Sequence, residues 1–360
     1  MTRDDAPLKA PFPWFGGKRR VAARVWAALG DVDNYVEPFF GSGAVLLGRP
    51  PEHAAGAETV NDADAYLANF WRAVKADPEA VAEWCDWPVN ETDLFARHLW
   101  LVDEGRRRIE SMESDPNFFD AKVAGWWVWG INSWIGSGWC AGNGPWRVVD
   151  GKVVLTRDKG GQWPQLPRLG NAGQGVNRQR LHLGNAGQGV NRKRPHLGNR
   201  GSDKPSRESD VDRLKKYFFA LAARFRRVRV CCGDWKRVVT RGAMAHGKTV
   251  GVFMDPPYLG DVRTRNLYRV DDHEISAAVC QWCLDHGDDP RLRIVLAGYT
   301  NEHEMPESWG AECYSASAAY QTHEGGGVNA ENRHKECLWY SPHCLGKPAA
   351  APLFAKEDEL

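Results

Sequence analysis

Long apolar runs are missing from this 360-residue chain: no uninterrupted apolar stretch reaches the roughly 18 residues of a membrane-spanning helix. The stretch Met1–Ala10 is polar, with two acids and two bases, so a cytoplasmic protein without a signal peptide is expected. Nine cysteines occur without a regular framework, so reduced thiols are expected rather than a disulfide scaffold. A metal site is not expected either. Cys280-x-x-Cys283 and His286 have helical spacing, and no second Cys-x-x-Cys completes a ligand set, although His334, Cys337, His343 and Cys344 follow. Net charge is nearly absent at +1, yet it is unevenly spread. Residues 157–229 hold 18 Lys and Arg against 5 Asp and Glu, a local +13 that leaves −12 for the rest. Such a segment points to a polyanionic partner, or to a solvated basic loop.

What is present begins at Pro13-Trp14-Phe15-Gly16-Gly17-Lys18, followed by the helical spacing Val21, Val25, Ala28, Leu29. Paired glycines let a backbone approach a ligand closely, and Lys18 can meet a carboxylate. Next, Tyr35-Val36-Glu37-Pro38-Phe39-Phe40-Gly41-Ser42-Gly43 reads as a short strand running into a glycine turn, with an apolar helix start after it. Strand, Gly-x-Gly and helix in that order bind a nucleotide-like cofactor at the first crossover of a Rossmann-type sheet. The third glycine of a dinucleotide fingerprint is missing, and so is a Walker Gly-Lys-Ser/Thr, so neither NAD nor ATP is favoured. A second strand, Glu58-Thr59-Val60, ends at Asn61-Asp62. An acid about 20 residues after the glycine turn suits ribose hydroxyls, and Asp62 can also cap the helix predicted from Ala63 to Lys75.

Far downstream, the β-branched run Thr249–Met254 predicts a buried central strand that stops at Asp255-Pro256-Pro257-Tyr258. Proline removes the ladder donor and fixes φ, so the chain must leave the sheet at its C-terminal edge, where open α/β sheets bind ligands. An exocyclic amine of a base is a poor nucleophile because its lone pair is delocalised into the ring. The Asp255 carboxylate and the Pro256 carbonyl, held by a rigid Pro-Pro turn, can accept its two N–H bonds, and Tyr258 offers a face for the base to stack on.

Trp-Phe-Gly-Gly-Lys, Val-Glu-Pro-Phe-Phe-Gly-Ser-Gly, Asn-Asp and a distant Asp-Pro-Pro-Tyr, in that order, resemble the Dam-type DNA adenine-N6 methyltransferases. The resemblance covers roughly residues 11–75 and 210–342. It implies an α/β fold: a Rossmann-like S-adenosylmethionine-dependent methyltransferase sheet, helices on both faces, and an inserted, mainly helical target-recognition domain. The catalytic domain is expected at 8–76 and 210–345, the insert at 77–209, and a disordered tail at 346–360. By the same resemblance, Trp14, Gly17, Lys18, Glu37, Phe39, Gly41, Gly43, Asp62 and Asp255 are expected at S-adenosylmethionine, and Asp255, Pro256, Pro257 and Tyr258 at the reacting amine.

Six of 17 tryptophans lie between Trp126 and Trp146, mostly expected as core, with one or two free to stack on DNA. This stretch resembles the family's aromatic, Asn-containing segment, departing from it at Ser133 and Trp134, and Asn132 is expected to face DNA. A true repeat follows: Leu169–Arg178 recurs as Leu183–Arg192, and residues 165–200 contain seven Lys and Arg and no acid. Its Gly and Asn content forbids a packed core, which predicts a flexible loop at 165–205. That loop is either a duplication without function or an arm whose Arg178, Arg180, Arg192, Lys193 and Arg194 track phosphates. The expected protein is a monomer that methylates adenine N6 in double-stranded DNA without a metal, within the nucleoid and in the manner of restriction-modification enzymes. The alternatives are methylation of RNA adenine or cytosine N4, and a catalytically silent DNA-binding relative.

Overall fold

The computed structural model describes residues 8–14, 18–53, 56–134, 139–140, 146–149, 152–155, 210–257, 272–300, 302–314 and 336–346. After a 3₁₀ turn at Lys18–Arg20, α1 (Ala22–Leu29) leads to β1 (Asn34–Glu37), α2 (Ala44–Leu47), β2 (Ala57–Asp62) and α3 (Ala65–Ala76). Then come α4 (Pro78–Cys85), α5 (Glu91–Trp100), a π-helical turn, α6 (Arg106–Arg108), α7 (Ala121–Ser133), and the hairpin β3 (Trp146–Val149) and β4 (Lys152–Leu155). The chain returns through α8 (Asp210–Phe225), β5 (Val228–Cys232), β6 (Val250–Met254), α9 (Asp272–His286), β7 (Leu292–Tyr299), β8 (Gly310–Tyr314) and β9 (Glu336–Tyr340).

Seven strands form one sheet in the order β5-β2-β1-β6-β7-β9-β8. The first five are parallel neighbours, and β9 and β8 pair antiparallel at one edge. Helices cover both faces, as expected. Side chains alternate along each strand, so Tyr35, Phe253 and Val295 join the core under α1, α3 and α8, whereas Val36, Val252 and Ile294 join the core under α9. The apolar runs of β1 and β6 are buried throughout, the signature of a parallel sheet covered on both sides.

The chain leaves β1 towards β2 on one side and later enters β6 on the other. Between the carboxyl ends of β1 and β6 the strand order therefore reverses, and such a crevice binds ligands in open α/β sheets. The antiparallel direction of β9 has a further consequence. Its first residue, Glu336, pairs with Tyr299 at the end of β7, which brings Glu336 to the same edge.

The helices between 78 and 133 do not build a core of their own. Val81, Val123, Trp127 and Val128 lie in the same continuous cluster as Phe70, Trp71, Phe218 and Phe225 of the sheet helices. Gly125 permits this packing: a Cβ there would lie 2.3 Å from the Trp84 Cβ. A boundary at residue 77 thus marks a change of topology rather than a gap in packing. The β3–β4 hairpin was not anticipated, although Asp150-Gly151 between Val149 and Lys152 is a strong hairpin signal.

Among the described residues no helix is long and apolar enough to cross a membrane. The basic repeat, with Arg178, Arg180, Arg192, Lys193 and Arg194, lies outside the described residues, as do Gly17, Tyr258 and the tail from 347 onward.

Candidate active site

At the end of β1 the backbone turns with positive φ at Gly41 (51°) and Gly43 (64°), which glycine adopts without strain. The missing side chains are used for close approach. A Cβ on Gly41 would lie 2.7 Å from Trp14 Nε1, and one on Gly43 would lie 2.5 Å from the Phe40 ring. The turn is fixed from β2: Phe40 N–H donates to the Asn61 carbonyl at 2.9 Å, and Gly41 N–H donates to Asp62 Oδ2 at 2.9 Å. From below, Trp71 Nε1 donates to the Gly41 carbonyl at 3.2 Å while its ring stacks on Phe225 at 4.8 Å.

Asp62 holds the loop rather than capping the next helix. Its Oδ1 accepts from Asp64 N–H at 2.9 Å, and it is Asp64 that caps α3 by accepting from Tyr66 N–H at 2.8 Å. The sequence offered two acids two residues apart, and the backbone chose the second because β2 runs on to Asp62 itself. Burial, with Asp64 close by, pushes the Asp62 carboxyl up to about 7. Glu37 is buried, and its Oε2 accepts from the Tyr35 hydroxyl at 2.9 Å. Burial holds the Glu37 carboxyl well above the usual range, with Asp255 and Asp62 adding like charge nearby. Phe39 is half-buried against Trp235, ring centres 5.9 Å apart.

Across the crevice, β6 ends and Asp255 emerges half-buried, followed by buried Pro256 and half-buried Pro257. Lys18 Nζ lies 3.1 Å from Asp255 Oδ1 and 3.8 Å from Glu336 Oε2. The Lys18 side chain is only 5% exposed, so these are not solvated surface pairs. Glu336 was not singled out from the sequence.

The segment carrying Trp14 is held by residues remote in sequence. Asn132 is buried, its Nδ2 donating to the Pro11 carbonyl at 2.9 Å and the Val128 carbonyl at 2.7 Å. It was expected to face DNA, but its place on the inner side of α7 makes it a tie between that helix and the N-terminal segment. The Tyr217 hydroxyl donates to the Lys9 carbonyl at 2.6 Å, and the Phe12 ring packs against Phe70 and Trp127 at 5.3 and 5.1 Å. Of the tryptophan-rich stretch, Trp127 and Trp129 are buried and Trp126 is half-buried. The Arg97 guanidinium lies over the Trp129 ring at 4.5 Å, which ties part of this aromatic content to a buried cation.

The cysteines depart from expectation in one place. Cys313 and Cys337, directly opposed on β8 and β9, form a disulfide. Which strands pair is a tertiary fact, so two cysteines 24 residues apart gave no sign of it. Cys283 is buried in the core beneath α9, and among the described residues no group of three His, Cys, Asp or Glu could hold a metal.

Trp14 and Asp62 thus meet at the Gly41 turn after β1, and Lys18 faces Asp255 at the end of the neighbouring β6. Residues 14–115 match the family model of the D12 class N6 adenine-specific DNA methyltransferases. Over that span, less than a third of the chain, the match agrees with the resemblance read from the motifs. The D12 match takes in the Gly41 turn, Asp62, Lys18 and α3, and ends before α7, so Asp255 and Glu336 lie outside it. No curated protein matches the chain.

Proposed function

We propose that this protein transfers the methyl group of S-adenosylmethionine to N6 of an adenine turned out of double-stranded DNA. The observation that carries the reading is the placement of Asp255, Lys18, Gly41 and Asp62 around one crevice at the carboxyl edge of the sheet.

The chain's own residues fit such a donor. Gly41 and Gly43 remove side chains from the turn, Asp62 presents a carboxylate already anchored by two backbone N–H groups, and buried Asn61 Oδ1 has no hydrogen-bond partner among the described residues. In this reading Asp62 accepts from ribose hydroxyls, Trp14 and Phe39 flank the adenosine, and Lys18 faces the donor's carboxylate. Bound there, the donor supplies an electrophilic sulfonium methyl group. The protein supplies alignment and acceptors: the Asp255 carboxylate and the Pro256 carbonyl each take an N–H of the adenine amino group, which frees its lone pair to attack. Tyr258 stacks on the extruded base and offsets part of the unstacking. Arg178, Arg180, Arg192, Lys193 and Arg194 are assigned to phosphates, with the enzyme acting as a monomer on nucleoid DNA.

The test is to incubate the protein with duplex DNA and methyl-labelled donor, digest to nucleosides and identify the product by mass spectrometry. N6-methyladenine is expected. N4-methylcytosine, label in RNA alone, or no label while DNA is bound would each overturn the reading.

A further inference from the structure

Glu336 occupies a position that neither the motifs nor the family match accounts for. It opens β9, and the antiparallel course of that strand sets it at the carboxyl edge beside the ends of β6 and β7. Its Oε2 lies 3.8 Å from Lys18 Nζ and accepts a hydrogen bond from the Tyr314 hydroxyl at 2.8 Å. Tyr314 is its register partner on β8, and the neighbouring pair, Cys313 and Cys337, is covalently joined. Burial, with Glu336 next to it, pushes the Tyr314 phenol far above its ordinary value, so the hydroxyl remains a donor. Glu336 is therefore anchored to a stiff edge, whereas Asp255 stands at the start of a loop that leaves the sheet. One buried ammonium faces both. An ammonium has three donors and attracts each carboxylate, so both bear on where it sits.

We propose that Glu336, braced by Tyr314, is a positioning residue: by sharing Lys18 with Asp255 it holds the ammonium, and through it the Asp255 carboxylate, in the arrangement used for methyl transfer. This rests on the function proposed above. With Glu336 uncharged, Lys18 keeps Asp255 but loses the pull of Glu336, and the Asp255 carboxylate shifts from the place where it meets the adenine amine. The defect belongs to the chemical step, not to DNA binding.

The experiment measures kcat, the KM for DNA and the ligand-free melting temperature for wild type, Glu336→Gln and Tyr314→Phe. Glu336→Gln keeps the shape and removes the charge; kcat should fall about tenfold while the KM for DNA stays within about twofold, the pattern of a lost transition-state interaction. The melting temperature should move by no more than a few degrees. Tyr314→Phe, which removes only the brace, should show the same split at about threefold, and it decides the matter if Glu336→Gln does not fold. Unchanged kcat in the folded variant, a kcat loss matched by loss of folded protein, or a defect confined to KM would overturn the inference. A wild type that methylates no DNA sinks the functional reading and this inference with it; a methylating wild type with a fully active variant sinks the inference alone.

Discussion

The Lys18 ammonium lies 3.1 Å from the Asp255 carboxylate, joining the N-terminal turn to the end of β6 across 237 positions of sequence. Before any ligand binds, the two residues assigned to opposite ends of the reaction are each other's partners. Lys18 is consequently a structural residue as well as a binding one. Lys18→Met should lower ligand-free stability by about 1–3 kcal/mol, because two partly buried carboxylates lose their cation. It should also weaken donor binding. Chemical denaturation and calorimetric titration with S-adenosylhomocysteine check the two effects; unchanged denaturation would mean that the pair contributes nothing to the fold.

Asp255 should matter most in the transition state. Asp255→Ala should bring turnover close to background while specific DNA binding survives, since the adenine amine gains its need for acceptors as it attacks. Tyr258→Ala should weaken base extrusion, and Tyr258→Phe should retain much of the activity because the aromatic face is kept. 2-Aminopurine fluorescence at the target adenine separates them: the rise persists in Asp255→Ala and shrinks in Tyr258→Ala. Near-normal turnover of Asp255→Ala would reduce the loop to a turn.

Gly41→Ala puts a Cβ where the Trp14 indole lies, at 2.7 Å, on a backbone of φ 51°. The left-handed conformation alone costs a non-glycine residue about 1–2 kcal/mol, and Trp14 must also move. The melting temperature and donor affinity should fall together. Retention of both would show that the turn has room to spare.

Asp62 should give ligand-free stability a particular pH dependence. Its folded carboxyl titrates at about 7, above its unfolded range, so between about pH 4 and 7 the folded state holds a proton that the unfolded state has released. Its contribution therefore declines as pH rises through that window and is level above it. The melting-temperature difference, wild type minus Asp62→Asn, should shrink from pH 5 to pH 8. Hydroxyl donors from a bound ribose favour the ionised form, so donor affinity should rise over the same interval. A pH-independent difference would contradict the assignment.

The Cys313–Cys337 bond closes a loop of 24 residues, for which a cross-link is worth about 3 kcal/mol in the chain-entropy account. Cys313→Ser should lower stability by that order under non-reducing conditions. Thiol titration of the denatured, unreduced protein should find seven groups rather than nine. Nine reactive thiols would show the pair reduced.

Much of the plan was legible in the chain, for local reasons. The glycine turn after Glu37 and the β-branched run before Asp255 announce themselves by residue type and breaker residues, each a property of a few neighbouring residues. Their order supported an α/β sheet with its site at the carboxyl edge. What the sequence could not decide were relations between distant segments. It marked Asp62 as a cap for the next helix, whereas β2 runs on to Asp62 and Asp64 takes the cap. It marked Asn132 as a contact for DNA, whereas the packing of α7 against the N-terminal segment turned that amide inward to Pro11. It gave no reason to join Cys313 to Cys337 or to bring Glu336 to Lys18, because these follow from the antiparallel pairing of β9 with β8 and with β7. Local chemistry is written along the chain, but the direction in which a strand enters a sheet is settled by the packing of the whole, and that direction placed Glu336 beside the site.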